Sequence, residues 1–293
     1  MEYGGEALSW RHEAEVLEVE LHREPLNEIG TTTLRELELL VTEVEVHPPR
    51  AMLLWSSRPG FCAGADLREL HASLVTRAAR SGETLAAAAS RLPPWAAAVV
   101  RRIGAGSTRR ELAAFIDRIH ATFDAIDAAP FPTIAAVHGV VFGGGLELAL
   151  ICDLVVADRT ARFCFPELRL GLVPGFGGIP RLERDLGNGV IRDLLLSGRS
   201  IGAPRAHAVG LVSQVVPRGE AREAARRLAR QVTRVPSGAL ATAKRFAKPI
   251  PRARLAEEKR LFVELVSRPE TIEALDRFVK DEGVRPYLAA EGG

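Results

Sequence analysis

One stretch limits the fold more than any other. An apolar strand-like run, Ile134-Ala135-Ala136-Val137, leads through Phe142 into three glycines, Gly143 to Gly145; an apolar helical run, Leu146 to Ile151, then ends at a second apolar strand, Asp153 to Ala157. Strands and helices that alternate this closely call for an α/β layer architecture with crossover connections. The glycines allow unusual dihedrals and leave bare backbone for a ligand to approach. At the start of the following helix the peptide N–H groups lack intrahelical partners and the dipole favours negative charge, so the turn suits an oxyanion. Glu147, one turn further on, would stand beside that anion as an acid or a base.

The surrounding chain repeats the alternation. Residues 14–22 place Leu17, Val19 and Leu21 on one side of a strand, which ends at the turn Arg23-Glu24-Pro25-Leu26-Asn27. Thr31 to Val46 shows helical spacing and stops at Pro48-Pro49; Ala51 to Trp55 is a short strand, and Phe61-Cys62-Ala63-Gly64-Ala65-Asp66-Leu67 is a second bare-backbone loop. Two or three short helices are predicted over 72–111, broken at Pro93-Pro94 and Gly104 to Ser107, and a separate helix over 112–128. Arg162 to Phe165 reads as a short strand, Pro166-Glu167-Leu168 as a turn, and Leu172 to Gly178 as a third glycine-rich turn opening a helix with Pro180 in its first turn. After the last strand, Leu211 to Val216, four helical stretches follow: Gly219 to Arg234, Ser237 to Lys248, Arg252 to Ser267 and Glu270 to Lys280. The expected division is a core over 1–205, with an inserted helical segment at 72–111, and a mainly helical oligomerisation region over 206–293.

Composition excludes several function classes. At 47% hydrophobic, 26% charged and a net charge of +2 with both signs interspersed, the chain has no nucleic-acid tract. No apolar run reaches membrane-spanning length, and the N-terminus resembles no signal or transit peptide, so a cytoplasmic protein is expected. Cys62, Cys152 and Cys164 are odd in number and lack CxxC spacing, against a disulfide framework or a zinc site. Cys62 reads as a small filler, Asp66 as a helix cap, His71 and His138 as structural, and the arginines at 101, 102, 109 and 110 as a solvated face.

Three features in order, the Phe61 to Asp66 loop, Gly143-Gly144-Gly145-Leu146-Glu147 and Phe165-Pro166-Glu167, followed by Leu170-Gly171-Leu172-Val173-Pro174-Gly175-Phe176-Gly177-Gly178, resemble the crotonase (enoyl-CoA hydratase/isomerase) superfamily over nearly the whole chain. The resemblance implies a crotonase-like β-β-α superhelix core with a C-terminal helical region, and an acyl-CoA thioester as substrate. It also implies that the N–H groups of Ala63 and Gly144 bind the thioester oxygen, that Glu147 activates the water attacking C3, and that Glu167 delivers the proton to C2. Such preorganised donors are worth about 3–4 kcal/mol each when judged by removal. The same resemblance places coenzyme A or substrate contacts at Arg23, Leu26, Ala65, Asp66, Leu67, Gly143, Pro166, Pro174 and Gly175. It implies no metal and no cofactor beyond the coenzyme A carried by the substrate, and a homotrimer or a dimer of trimers. Within the family's repertoire lie hydration of a trans-2-enoyl-CoA, double-bond isomerisation and thioester hydrolysis; a non-catalytic acyl-CoA-binding or scaffolding role is the alternative from another class. The long segment 72–111, and Gly178-Ile179-Pro180-Arg181-Leu182 where the family often has Gly-Gly-Thr-Gln-Arg-Leu, are the departures that bear on the acyl group.

Overall fold

The computed structural model describes residues 2–74 and 94–281, and for 94–109 the backbone only. A seven-stranded sheet forms the centre, in the order β1 (Glu2–Gly4), β2 (Leu8–Glu13), β3 (Val16–Leu21), β4 (Ala51–Ser56), β5 (Thr133–Val137), β7 (Leu154–Asp158) and β10 (Gln214–Val216). The first three strands are antiparallel and the rest parallel. A smaller sheet of β6 (Val140–Phe142), β8 (Arg162–Cys164) and β9 (Ile201–Gly202) stands beside it. This is the mixed α/β layering expected.

Both faces of the large sheet are buried, so its parallel strands are apolar throughout rather than alternating. Leu17, Val19, Met52, Leu54, Ala135 and Val137 pack into the main core, while Val16, Leu53, Ile134, Ala136 and Val156 pack on the opposite face. That opposite face is covered by the alanine stripe Ala221, Ala224, Ala225 and Ala229 of the helix Ala221–Val232. Glu18, buried on a central strand, is satisfied by Arg222 and Arg226 of the same helix. Because β10 pairs with β7, the C-terminal part of the chain shares one sheet with the part before it.

Several expectations are corrected. The strand predicted from residue 14 starts at Val16 because residues 14–15 form the hairpin turn from β2, with Ala14 at φ 56°. The short helices predicted over 72–111 and the helix over 112–128 are replaced, in the described part, by one helix, Pro94–Asp127, running through Gly104 and Gly106. An interior glycine costs a helix only about 1 kcal/mol, and Pro94 lies at the first position, where its missing N–H is harmless. Residues 75–93 of the inserted segment, and the tail after 281, lie outside the described residues. The chain also leaves the large sheet at His138 and Gly139 (φ 56°), so β6 in the small sheet, not the strand over 134–137, feeds the glycine triplet.

Candidate active site

Three backbone turns converge on one cleft of about 600 Å³. The first is the 61–66 loop, joined to β6 through the bridge Cys62 to Val141 and to the preceding turn through Ile29 to Ala65. The second is the glycine triplet, where Gly143 (φ 48°) precedes the short helix Gly144–Leu150. The third is the turn at 175–178, which opens the helix Gly178–Leu186. Glycine is required at the closest approaches. A Cβ on Gly143 would stand 2.5 Å from Glu167 Oε1, and one on Gly145 would stand 2.2 Å from the Cys62 carbonyl oxygen.

The two carboxylates line this cleft but live in different surroundings. Glu147 is buried, and its Oε1 accepts the N–H groups of Phe176 and Gly178 at 2.8 Å each. Burial pushes its pKa up to about 7, while those two amides and the Arg181 guanidinium oppose the rise. Glu167, at the start of the 3-10 turn Glu167–Leu170, has a buried Oε2 with no hydrogen-bond partner among the described residues. Burial first, and then repulsion from Glu147, holds its pKa well above the usual carboxylate range. Hydrogen bonding and Arg181 therefore favour the ionised form of Glu147, while burial and the neighbouring Glu147 favour the protonated form of Glu167.

Two peptide donors face the same space. Gly144 N–H is the first of its helix and has no intrahelical acceptor. The Ala63 N–H, expected as its companion, is instead donated to Leu26 O at 2.9 Å. The free donor is two residues on: Ala65 N–H finds no acceptor among the described residues, and a Cβ on Gly144 would lie 3.2 Å from that nitrogen. The reason is local. Ile29 N–H bonds Gly64 O and Asp66 N–H bonds Ile29 O, which turns the intervening Ala65 amide outward as in a parallel ladder. The free amide beside Gly144 is accordingly that of Ala65, not that of Ala63.

Of the other expected contacts, Leu26, Ala63, Asp66, Leu67, Gly143, Pro166 and Gly175 line the cleft, and Arg23 and Pro174 do not. Arg23 is held by Asp66 at 2.7 Å and by Glu28 O at 2.6 Å. Asp66 also accepts the Glu69 N–H at 2.9 Å, the expected cap of the helix that begins at residue 67. Cys62 is buried, with its thiol pushed up to about 12, so it is no thiolate nucleophile. His71 pairs with Asp276, and His138 bonds Arg58 O, away from the carboxylates. Among the described residues no cluster of three or more His, Cys, Asp and Glu has an arrangement suited to a metal ion, and no helix is long and apolar enough to cross a membrane.

Sequence reading missed the cleft's aromatic wall, Phe176 and Phe262, its two arginines, Arg68 and Arg162, and the buried Arg181 and Glu258 behind it. Phe176 was visible as the one large residue in a glycine-rich turn; Phe262 and Glu258 come from a helix more than eighty residues later and left no local signal.

The family model described as enoyl-CoA hydratase/isomerase matches residues 98–284. A Mycobacterium bovis protein named probable enoyl-CoA hydratase is 31% identical over 260 residues, 87% of each chain. The 2,3-dehydroadipyl-CoA hydratase of Escherichia coli is 41% identical over 153 residues, 51% of this chain and 60% of that one. Among solved structures, an enoyl-CoA hydratase from Bacillus anthracis superposes with a TM-score of 0.65 at 26% identity, covering 92% of this chain and 95% of that one. Pseudomonas aeruginosa DspI superposes with a TM-score of 0.65 at 30% identity, covering 88% and 94%. By sequence and by fold, the chain belongs to the enoyl-CoA hydratase/isomerase family, the crotonase superfamily.

Proposed function

We propose that the protein adds water across the double bond of a trans-2-enoyl-CoA, giving the 3-hydroxyacyl-CoA, and catalyses the reverse dehydration. The observation that carries this reading is the pair of unlike carboxylates in one cleft: Glu147, gripped by two amides with its pKa at about 7, and Glu167, whose buried oxygen has no partner among the described residues and whose pKa burial raises. Ionised Glu147 accepts a proton from water as its oxygen attacks C3. Charge develops on the thioester oxygen, where the Ala65 and Gly144 N–H groups stabilise it. Glu167 then gives its proton to C2, so one hydrogen and one hydroxyl are added and the two carboxylates exchange protonation states. The Phe176 and Phe262 wall suits an apolar acyl group, and Arg68 and Arg162, which line the same cleft, are the cations this reading assigns to the phosphates of coenzyme A. No cofactor beyond the coenzyme A moiety enters this scheme, and a homotrimer or dimer of trimers is its expected assembly.

The test is a panel of enoyl-CoA thioesters, from crotonyl-CoA upward, turned over in ¹⁸O-labelled water. One label at C3 is the expected result. Conversion of a 3-enoyl-CoA to its 2-isomer without added water, and no hydration of any 2-enoyl-CoA, would sink the reading. Binding of thioesters with no turnover would favour a scaffold role.

A further inference from the structure

One buried carboxylate takes no part in the scheme above. Glu258 lies on the helix Arg252–Val266, 4% exposed, on the face it shares with Leu255, Phe262 and Val266. Its Oε1 accepts Gly177 N–H at 2.7 Å and its Oε2 accepts Ile179 N–H at 2.9 Å. The amides between them, Phe176 and Gly178, point to Glu147. Four successive N–H groups thus alternate between two glutamates that approach the turn from different helices. The carbonyls of the same turn are also held: Gly175 O by His120 Nε2 at 2.8 Å, and Phe176 O and Gly177 O by Arg181 at 3.1 and 3.3 Å.

Packing agrees with the hydrogen bonds. A Cβ on Gly175 would stand 2.6 Å from the Phe262 ring, and one on Gly177 would stand 2.7 Å from Leu255. The helix carrying Glu258 therefore presses directly on the bare backbone of the turn.

We propose that Glu258 is a positioning residue for Glu147, acting through the turn: by holding Gly177 and Ile179 it presents the Phe176 and Gly178 N–H groups to the catalytic carboxylate. The inference rests on the reading of Glu147 as the group that activates water. Charged and titratable groups facing Glu147 are Glu167 from the 3-10 turn, Arg181 from the helix after the glycines and Glu258 across the turn; Arg181 is itself held by Asp124 and Asp127, and His120 comes from their helix. Outer partners of this kind typically change activity 10- to 100-fold.

Glu258→Asp keeps the carboxyl group and withdraws it by one methylene, so any change reports the group's position rather than its loss. It is expected to lower kcat on crotonyl-CoA about 10- to 100-fold with KM within about threefold, and to move the Glu147 titration to higher pH, because the amides that favour the ionised form are displaced. Glu258→Gln, close to isosteric, is expected to lower kcat similarly and serves if the aspartate variant does not fold. Glu257→Gln, on the exposed side of the helix, should leave both unchanged. A wild-type kcat with an unmoved titration in either folded variant overturns the proposal, as does a lowered Tm with an unmoved titration. Glu147 ionisation is followed by infrared difference titration, assigned by its loss in Glu147→Gln. That readout needs no turnover, so failure of the proposed hydration and failure of the positioning role are separable.

Discussion

Glu147 and Glu167 are the same residue type in the same cleft, and what separates them is the number of donors each receives. Two amides and Arg181 favour the ionised form of Glu147, whereas Glu167 has an unpartnered buried oxygen and a like charge nearby. Activity should therefore rise as pH climbs through about 7, when Glu147 ionises, and fall at the higher pH where Glu167 loses its proton; a pH profile of kcat/KM measures both limbs. Glu147→Gln and Glu167→Gln should each reduce kcat by about 10²–10⁴-fold, the usual worth of a positioned acid or base. Stability should move the other way for Glu167. Its folded pKa lies above the ordinary 4.5, so its contribution is intact below about pH 4.5 and is lost as pH rises through the folded value. Glu167→Gln cannot ionise and should melt above the wild type at pH 8 but alongside it at pH 4.5; calorimetry at the two pH values is the check. The glycines are as constrained as the acids. Gly143→Ala places a Cβ at positive φ and 2.5 Å from Glu167 Oε1, and should cost at least tenfold in kcat while coenzyme A thioesters still bind, as titration calorimetry would show.

At the scale of elements, the helix Gly178–Leu186 owes its placement to one wholly buried cation. Arg181 bonds Asp127 at 2.8 Å and Asp124 at 2.5 Å, and Asp127 also receives Arg184 and Lys248. Arg181→Met would leave buried Asp127 and half-buried Asp124 short of a partner, and breaking a buried pair typically costs about 3–5 kcal/mol. A Tm depressed by several degrees at fixed protein concentration is expected; an unchanged Tm would show that Arg184 and Lys248 suffice. The same element shows what the sequence discloses and what it hides. The Thr31–Val46 helix, the apolar strands and the glycine turns were legible because periodicity and bare backbone are local properties. Glu147 and Glu167 were legible because they sit beside those turns. Arg181 stands where the family's Gly-Gly-Thr-Gln-Arg-Leu also has arginine, and it gave no sign of its role because its partners lie 54 and 57 residues away. The free amide lies two residues beyond the expected one for a similar reason: which N–H in Ala63-Gly64-Ala65 stays free depends on Leu26 and Ile29, from another turn. Glycine content misled in the opposite direction at Gly104 and Gly106, where a long helix absorbs a modest propensity cost.

For the whole molecule, the large sheet is covered on both faces, yet the helix Ser237–Ala247 has no buried residue at all. Its Phe246 is 91% exposed, and Leu196 is 71% exposed. The helix is tied to the body chiefly through its basic end and the residue after it: Lys244 bonds Phe131 O and Asp153, and Lys248 bonds Ile151 O, Asp153 and Asp127. Those ties fix its orientation while leaving an aromatic side chain in water, and covering a phenylalanine is worth about 1.5–3 kcal/mol. In a trimer that gain recurs three times, once for each copy, which makes Phe246 a sensitive place to test the expected assembly. Light scattering at micromolar concentration should give a mass near three or six chains for the wild type. Phe246→Glu puts a charge where an apolar contact is expected and should shift the population toward the monomer, without altering the Glu18 to Arg226 pairing that holds the outer helix to the sheet. A wild type that is already monomeric, or a variant whose mass is unchanged, would place Phe246 outside any interface and leave its helix as solvent-facing surface.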